Sequence, residues 1–174
     1  MQRKLMCAAL VTAVLIFVSL ERGGSIPTTP PRAGFTSTTL ALGRFGDISV
    51  ALSDFNLVDD EHLHWLSRQE TQGSSDLYVQ SNVWQPRGST DWHTHPGHSL
   101  IIVTAGTVTG YEGNDPDCKP HVYTEGMGFV DPGGEHIHIL RNETDAVAKT
   151  VAVQLIPAAT NVHIHVPDPG NCHF

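Results

Sequence analysis

Four His-x-His pairs punctuate this chain: His62/His64, His93/His95, His136/His138 and His163/His165. Residues two apart on an extended strand project from the same face, so each pair offers two imidazoles side by side. Neutral imidazole is a ligand for divalent transition metals, and one such pair on a β-scaffold is half of a site. Two of the pairs have the sequence context of strands. His93-Thr-His95 runs through Pro96-Gly97 into Ser99 and the apolar, β-branched segment Leu100–Val103, which reads as a buried strand. His136-Ile-His138 follows Pro132-Gly133-Gly134 and leads into Ile139-Leu140. His62/His64 read as surface histidines on a loop, and His163/His165 as an outer strand or tail. Asp91, Glu112 and Glu135 are the acid or base candidates nearest these pairs in sequence.

The elements that must position these groups are short and β-like. The chain has 174 residues, enough for one domain with a real core, and its 16 Gly and 11 Pro fall between brief apolar runs. Strands are expected at Phe35–Leu42 and Ile48–Leu52, with residues 54–73 as an irregular excursion. Residues 76–84 alternate, with Leu77, Val79 and Val83 on one side and Tyr78, Gln80, Asn82 and Trp84 on the other, a polar face able to line a cavity. Gln85-Pro-Arg-Gly-Ser89 reads as a turn. Further strands are expected at 107–112, 121–124 and 147–156.

Composition narrows the function classes. The formal charge is −8 and no basic stripe is present, so nucleic-acid binding is excluded as a reading. Arg3 and Lys4 precede an apolar run, Leu5–Leu20, in the order of a secretory signal or a retained N-terminal anchor. The expected division is therefore an export segment over 1–25, a Thr/Pro linker over 26–34, N-terminal strands over 35–76, a core over 77–158 and a tail over 159–174. Beyond the export segment only Cys118 and Cys172 remain, and in an exported protein they are expected to form one disulfide.

The histidine segments carry a family resemblance. Gly88, His93, His95 and Gly106 resemble the first motif of the cupin superfamily, with Gly88 one residue nearer the histidines than usual. Gly126, Pro132, Gly134, His138 and Asn142 resemble the second, with one extra residue before His138. The similarity spans Tyr78–Pro157, and more narrowly it is to exported bacterial single-domain cupins with the type-2 conserved barrel. It implies an all-β, double-stranded β-helix (a jelly-roll barrel) and metal ligands at His93, His95 and His138. The family's glutamate position holds Ser99, a weak ligand. His98 stands one residue earlier as a candidate replacement: a regular strand points it away from His95, whereas Pro96-Gly97 can reverse that parity. The extra residue leaves His136 competing with His138, and the spacing to Asn142 favours His138.

A set of neutral imidazoles suits one divalent transition metal (Fe, Ni, Cu, Zn or Mn) better than Mg or Ca. The implied function is a metal-dependent oxygenase or isomerase of a small organic molecule, with a non-catalytic, extracytoplasmic ligand- or metal-binding cupin as the alternative. The family resemblance also implies pairing into a homodimer.

Overall fold

The computed structural model of the protein describes residues 32–52 and 66–174. The export segment, most of the expected linker and the His62/His64 pair lie outside the described residues. Within them the chain forms strands and no helix: β1 (Ala33–Phe45), β2 (Ile48–Leu52), β3 (Ser67–Thr71), β4 (Ser75–Ser89), β5 (His93–Thr94) and β6 (Ser99–Ala105). They continue as β7 (Thr107–Glu112), β8 (His121–Thr124), β9 (Gly128–Asp131), β10 (His138–Arg141), β11 (Ala148–Pro157) and β12 (Ile164–His165). No helix among the described residues is long and apolar enough to cross a membrane.

One ten-stranded sheet, antiparallel at every pairing, rolls into a nearly closed barrel; β2 and β3 form a separate ribbon. Its neighbour order is β12-β5-β10-β4-β11-β6-β9, with β1 also on β4, and β7 bridging β10 and β8. The long strand β4 holds this together. Along residues 75–84 it pairs with β1 on one side and β11 on the other, and at Ser89 it reaches Arg141 of β10. The Gln-Pro-Arg-Gly-Ser segment thus bends the strand rather than reversing it, contrary to its turn-like composition. Arg87 takes a φ of 61° there, and its backbone N–H donates to the Thr144 carbonyl at 3.2 Å, so the bend is pinned to the loop after β10. Asn142 completes the pin: its buried side-chain amide donates to the carbonyls of Gln85 and Ala146 at 3.0 and 2.6 Å.

Three other expectations change. The excursion over 54–73 is not irregular throughout, because Ser67–Thr71 pair with β2. The strand β1 extends beyond Leu42 to Phe45, since its pairing with β4 continues to Ser75. The segment Leu100–Val103 is a strand but not a wholly buried one. Ile101 and Val103 face inward, whereas Leu100 and Ile102 face outward with 53% and 54% of their surface exposed. Alternation in an antiparallel strand lets only one face be covered by the barrel interior.

Two apolar clusters make up the core, on opposite faces of β10, where consecutive residues Ile139 and Leu140 point opposite ways. One joins Trp84, Val108, Leu140 and Ala148, with Phe35 set against Trp84 at 4.7 Å between ring centroids. The other joins Trp92, Tyr111, Ile139 and Cys172, so the C-terminal tail is part of the core. A Cys118–Cys172 disulfide, with Cα atoms 5.3 Å apart, ties that tail to the β7–β8 loop across 54 residues of sequence. In the chain-entropy view a closed loop of this length stabilises the fold by roughly 4 kcal/mol. Replacing both cysteines (Cys118→Ser/Cys172→Ser) should lower the unfolding free energy by about 2–4 kcal/mol, read as a lower urea midpoint with a steeper slope, since the uncrosslinked unfolded chain exposes more surface.

Candidate metal centre

The two histidine-bearing turns meet because glycine lets them. Gly133 has a φ of 69°, and a Cβ on it would lie 2.2 Å from the Gly97 carbonyl oxygen; a Cβ on Gly97 would lie 2.2 Å from the Leu155 carbonyl oxygen. With no side chains in the way, the Gly134 N–H donates to the His95 carbonyl at 2.7 Å, and the Thr94 hydroxyl donates to the Gly134 carbonyl at 2.7 Å. Strand pairing then sets His138 of β10 directly opposite His93 of β5.

The result is a cluster of three buried imidazoles. His93, His95 and His138 each offer one ring nitrogen, and these nitrogens all lie within 4.8 Å of one another. The ring centroids of His93 and His95 are 4.9 Å apart, and those of His93 and His138 are 4.3 Å apart. Backbone carbonyls fix two of the rings. His93 Nδ1 donates to the Asp91 carbonyl at 2.8 Å, and His95 Nδ1 donates to the Val162 carbonyl. Each ring therefore keeps the lone pair of Nε2 free, the arrangement by which an outer partner orients a ligating histidine.

Burial sets the electrostatics. It pushes His93 well below the ordinary histidine range, and the neighbouring imidazoles of His138, His95 and His163 push in the same direction. It pushes His138 down to about 4, against the opposing pull of the Asp131 carboxylate. Both rings are therefore neutral ligands at neutral pH. The three imidazoles open onto a cavity of about 220 Å³, whose wall includes Gln80, Asn82 and Trp84 of β4 and Thr150 and Gln154 of β11. The polar face of β4 lines a cavity, as its alternation allows.

Other candidates fall elsewhere. His98 does not reach the cluster; it lines a separate surface groove with Gln72, Ser74 and Ile156. Its backbone carbonyl accepts from Leu155 N–H, which holds the segment after Pro96-Gly97 in regular pairing and leaves the strand parity unreversed. His136 lies in the turn before β10 rather than on the strand, clamped between two carboxylates. Its Nδ1 meets Asp131 Oδ1 at 3.1 Å and its Nε2 meets Glu112 Oε2. The geometry thus separates the pair: His138 joins His93 and His95, while His136 pairs with Glu112 and Asp131. Glu135 is exposed in the turn.

Two participants are not visible in the sequence pattern. His163, read as a tail histidine, lies at the cavity and stacks on His93 with centroids 4.3 Å apart. It is brought there by β12, which pairs His165 with His93 and Ile164 with Thr94. Its Nε2 donates to Asp91 Oδ1 at 2.9 Å, while Nδ1 accepts from Arg32 at 3.2 Å, so both nitrogens are engaged. Burial raises the Asp91 carboxyl, but hydrogen bonds from His165 and His163 outweigh it and hold the group below the usual carboxylate range. The second is Asp131, a β9 residue, 2% exposed, which lies against His95, His136 and His138. Its neighbours come from other strands, so no local spacing signals it.

No protein-family model and no curated protein matches this chain. Solved structures similar to it include an oxalate oxidase, at 21% identity and a TM-score of 0.44, covering 52% of this chain and 46% of that one. The polyketide cyclase RemF from Streptomyces resistomycificus is similar at 17% identity and a TM-score of 0.44, covering 53% of this chain and 64% of that one. A cupin superfamily protein from Desulfitobacterium hafniense is similar at 13% identity and a TM-score of 0.40, covering 63% of this chain and 77% of that one. The chain spans less than half the length of the oxalate oxidase it matches. Its own antiparallel barrel, closed around two histidine-bearing turns, has the jelly-roll architecture that the cupin motifs imply.

The buried histidines make stability depend on pH in a defined window. An unfolded histidine takes a proton near pH 6.5, whereas folded His93 and His138 stay neutral well below that. The unfolded state then binds more protons, so metal-free protein should lose stability as pH falls from about 6.5, by up to about 1.4 kcal/mol per pH unit for each of the two histidines. The share due to His138 should end near pH 4, where it titrates in the fold. Urea melts of metal-free protein between pH 7.5 and 5 measure this; a midpoint constant over that range would refute it.

Proposed function

We propose that this chain is an extracytoplasmic metal-dependent cupin that holds one divalent transition metal on His93, His95 and His138 and acts on a small polar organic molecule. One observation carries the reading: three buried imidazoles, two with ring orientation fixed by backbone carbonyls, converge at the wall of an internal cavity. The donor set fits a borderline metal such as Fe, Mn, Ni, Cu or Zn. The buried Nδ1 of His138, which has no hydrogen-bond partner, fits a role in such a centre. A bound metal supplies Lewis acidity and, for iron, manganese or copper, a redox couple; oxygenase and isomerase chemistry both draw on these.

The chain's own residues do the rest. Gln80, Asn82, Thr150 and Gln154 offer amide and hydroxyl groups to orient a polar molecule beside the histidines. The tail around β12 covers one side of the cluster, with His163 stacked on His93. Arg32, at the same cavity, adds a cation suited to an anionic group on the molecule. Export is supported by the Cys118–Cys172 bridge, which persists in oxidising compartments, and by the order of residues 1–25.

A second reading, a non-catalytic binding module, is favoured by the absence of Asp and Glu among the described residues lining the cavity. Elemental analysis with a turnover screen decides between them. Purified protein should carry about one equivalent of transition metal, lost in His93→Ala/His138→Ala at near-unchanged secondary structure. Turnover of a small polar substrate by the loaded protein, absent from the double variant, supports the enzyme. Ligand binding to the loaded protein without turnover or O₂ uptake supports the module, and no metal after reconstitution overturns the metal-dependent reading and leaves a metal-free ligand-binding module.

A further inference from the structure

We infer that Asp131 is the carboxylate ligand of this centre, supplied by β9 in place of the side chain missing at Ser99; the inference rests on the metal-binding reading above. The register is the first observation. Ser99 of β6 is the direct antiparallel partner of Asp131 of β9, and paired residues project from the same face. The Ser99 hydroxyl is fully buried and has no hydrogen-bond partner.

The second observation is the state of the carboxylate itself. Asp131 is buried, and its two oxygens have different surroundings. Oδ1 accepts from the Gly133 N–H at 2.9 Å and from His136 Nδ1 at 3.1 Å. Oδ2 has no hydrogen-bond partner. It lies 3.4 Å from Nε2 of His95, whose Nδ1–H is already committed to the Val162 carbonyl. An unprotonated ring nitrogen and a carboxylate oxygen therefore lie 3.4 Å apart in a dry site, and that is unfavourable unless a proton or a metal cation is shared between them. The separation exceeds the usual N–H···O range of about 2.7–3.2 Å. It matches the spacing of about 3.4 Å between neighbouring ligand atoms bound at about 2.1 Å in a tetrahedral shell.

The ligand class follows from the donors. Three imidazoles and one carboxylate give a singly negative, mixed N/O set, which suits divalent Fe, Mn or Zn over Cu(I). His136 and Glu112 then serve as positioning residues: Glu112 holds His136, and His136 holds Oδ1, so that Oδ2 is left to the metal.

The test measures Zn(II) affinity by chelator competition, and the absorption spectrum of Co(II)-loaded protein, in wild type, Asp131→Asn and Ser99→Glu/Asp131→Asn. Asparagine keeps the acceptor for Gly133 N–H, and the melting temperature of each variant checks folding. The expected result is an affinity loss of about 10- to 100-fold in Asp131→Asn with a changed Co(II) spectrum. In Ser99→Glu/Asp131→Asn, which returns a carboxylate from the paired position, affinity should recover to within about tenfold of wild type. An Asp131→Asn protein with wild-type Zn(II) affinity, or with an unchanged Co(II) spectrum, overturns the ligand role while leaving the three-histidine centre standing. A wild-type protein that binds neither metal overturns the centre and this inference together.

Discussion

The contact on which the centre depends is between two pieces of backbone. The turn after His95 and the turn before His138 approach so closely that Gly133 has no room for a Cβ against Gly97, Gly97 is itself pressed against the Leu155 carbonyl of β11, and Gly134 bonds directly to the His95 carbonyl. Any side chain at Gly133 would need both a left-handed conformation and space held by the Gly97 carbonyl. That closeness brings imidazoles from β5 and β10 within one coordination sphere of each other. Gly88 and Asn142 act one layer further out: the bend of β4 at Gly88 is fastened to the β10–β11 loop by the Asn142 amide. The residues that make up the family motifs are thus as much about backbone approach as about ligation.

Dehydration gives the site its chemical character. A barrel interior disfavours charge, so His93 and His138 are held neutral, and the same dryness makes a lone carboxylate unstable without a counter-charge. Asp131 is placed where both effects meet, with one oxygen satisfied by Gly133 and His136 and the other facing His95. Asp91 solves the analogous problem at the cavity edge differently. It is partly open to solvent and draws His163, His165 and Arg32 around it. The tail that carries those two histidines is held by the disulfide and by the packing of Cys172 on Trp92 and Tyr111. The Val162 carbonyl that orients His95 belongs to the same tail, so the clip at residue 172 bears on the geometry of the imidazole cluster.

Much of this was legible in the residues. Alternation and Gly/Pro punctuation located most strands, the His-x-His pairs marked the segments that carry the cluster, and the resemblance to cupins pointed to His93, His95 and His138 with His136 still competing. The misses have a common cause. Gln85–Ser89 has the composition of a turn, but pairing of β4 up to Trp84 and again at Ser89 makes it a bend within one strand rather than a reversal. Residues 67–71 have no apolar periodicity and become a strand only because β2 is there to pair with them. Leu100 and Ile102 look as buried as Ile101 and Val103 until the sheet decides which face is inside.

By itself the sequence determined the all-β class, the same-face histidine pairs and the availability of one disulfide, because these follow from residue type and from periodicities of two; that Ser99 stands at a glutamate position came only from the resemblance to cupins. Only the tertiary structure decided that His138 rather than His136 joins His93 and His95, that His98 points away, and that His163 and Asp131 stand at the site. Those choices depend on register between strands far apart in sequence, Ser99 against Asp131 and His165 against His93. Register is fixed by cooperative pairing over the whole barrel, a property that no short stretch of residues contains.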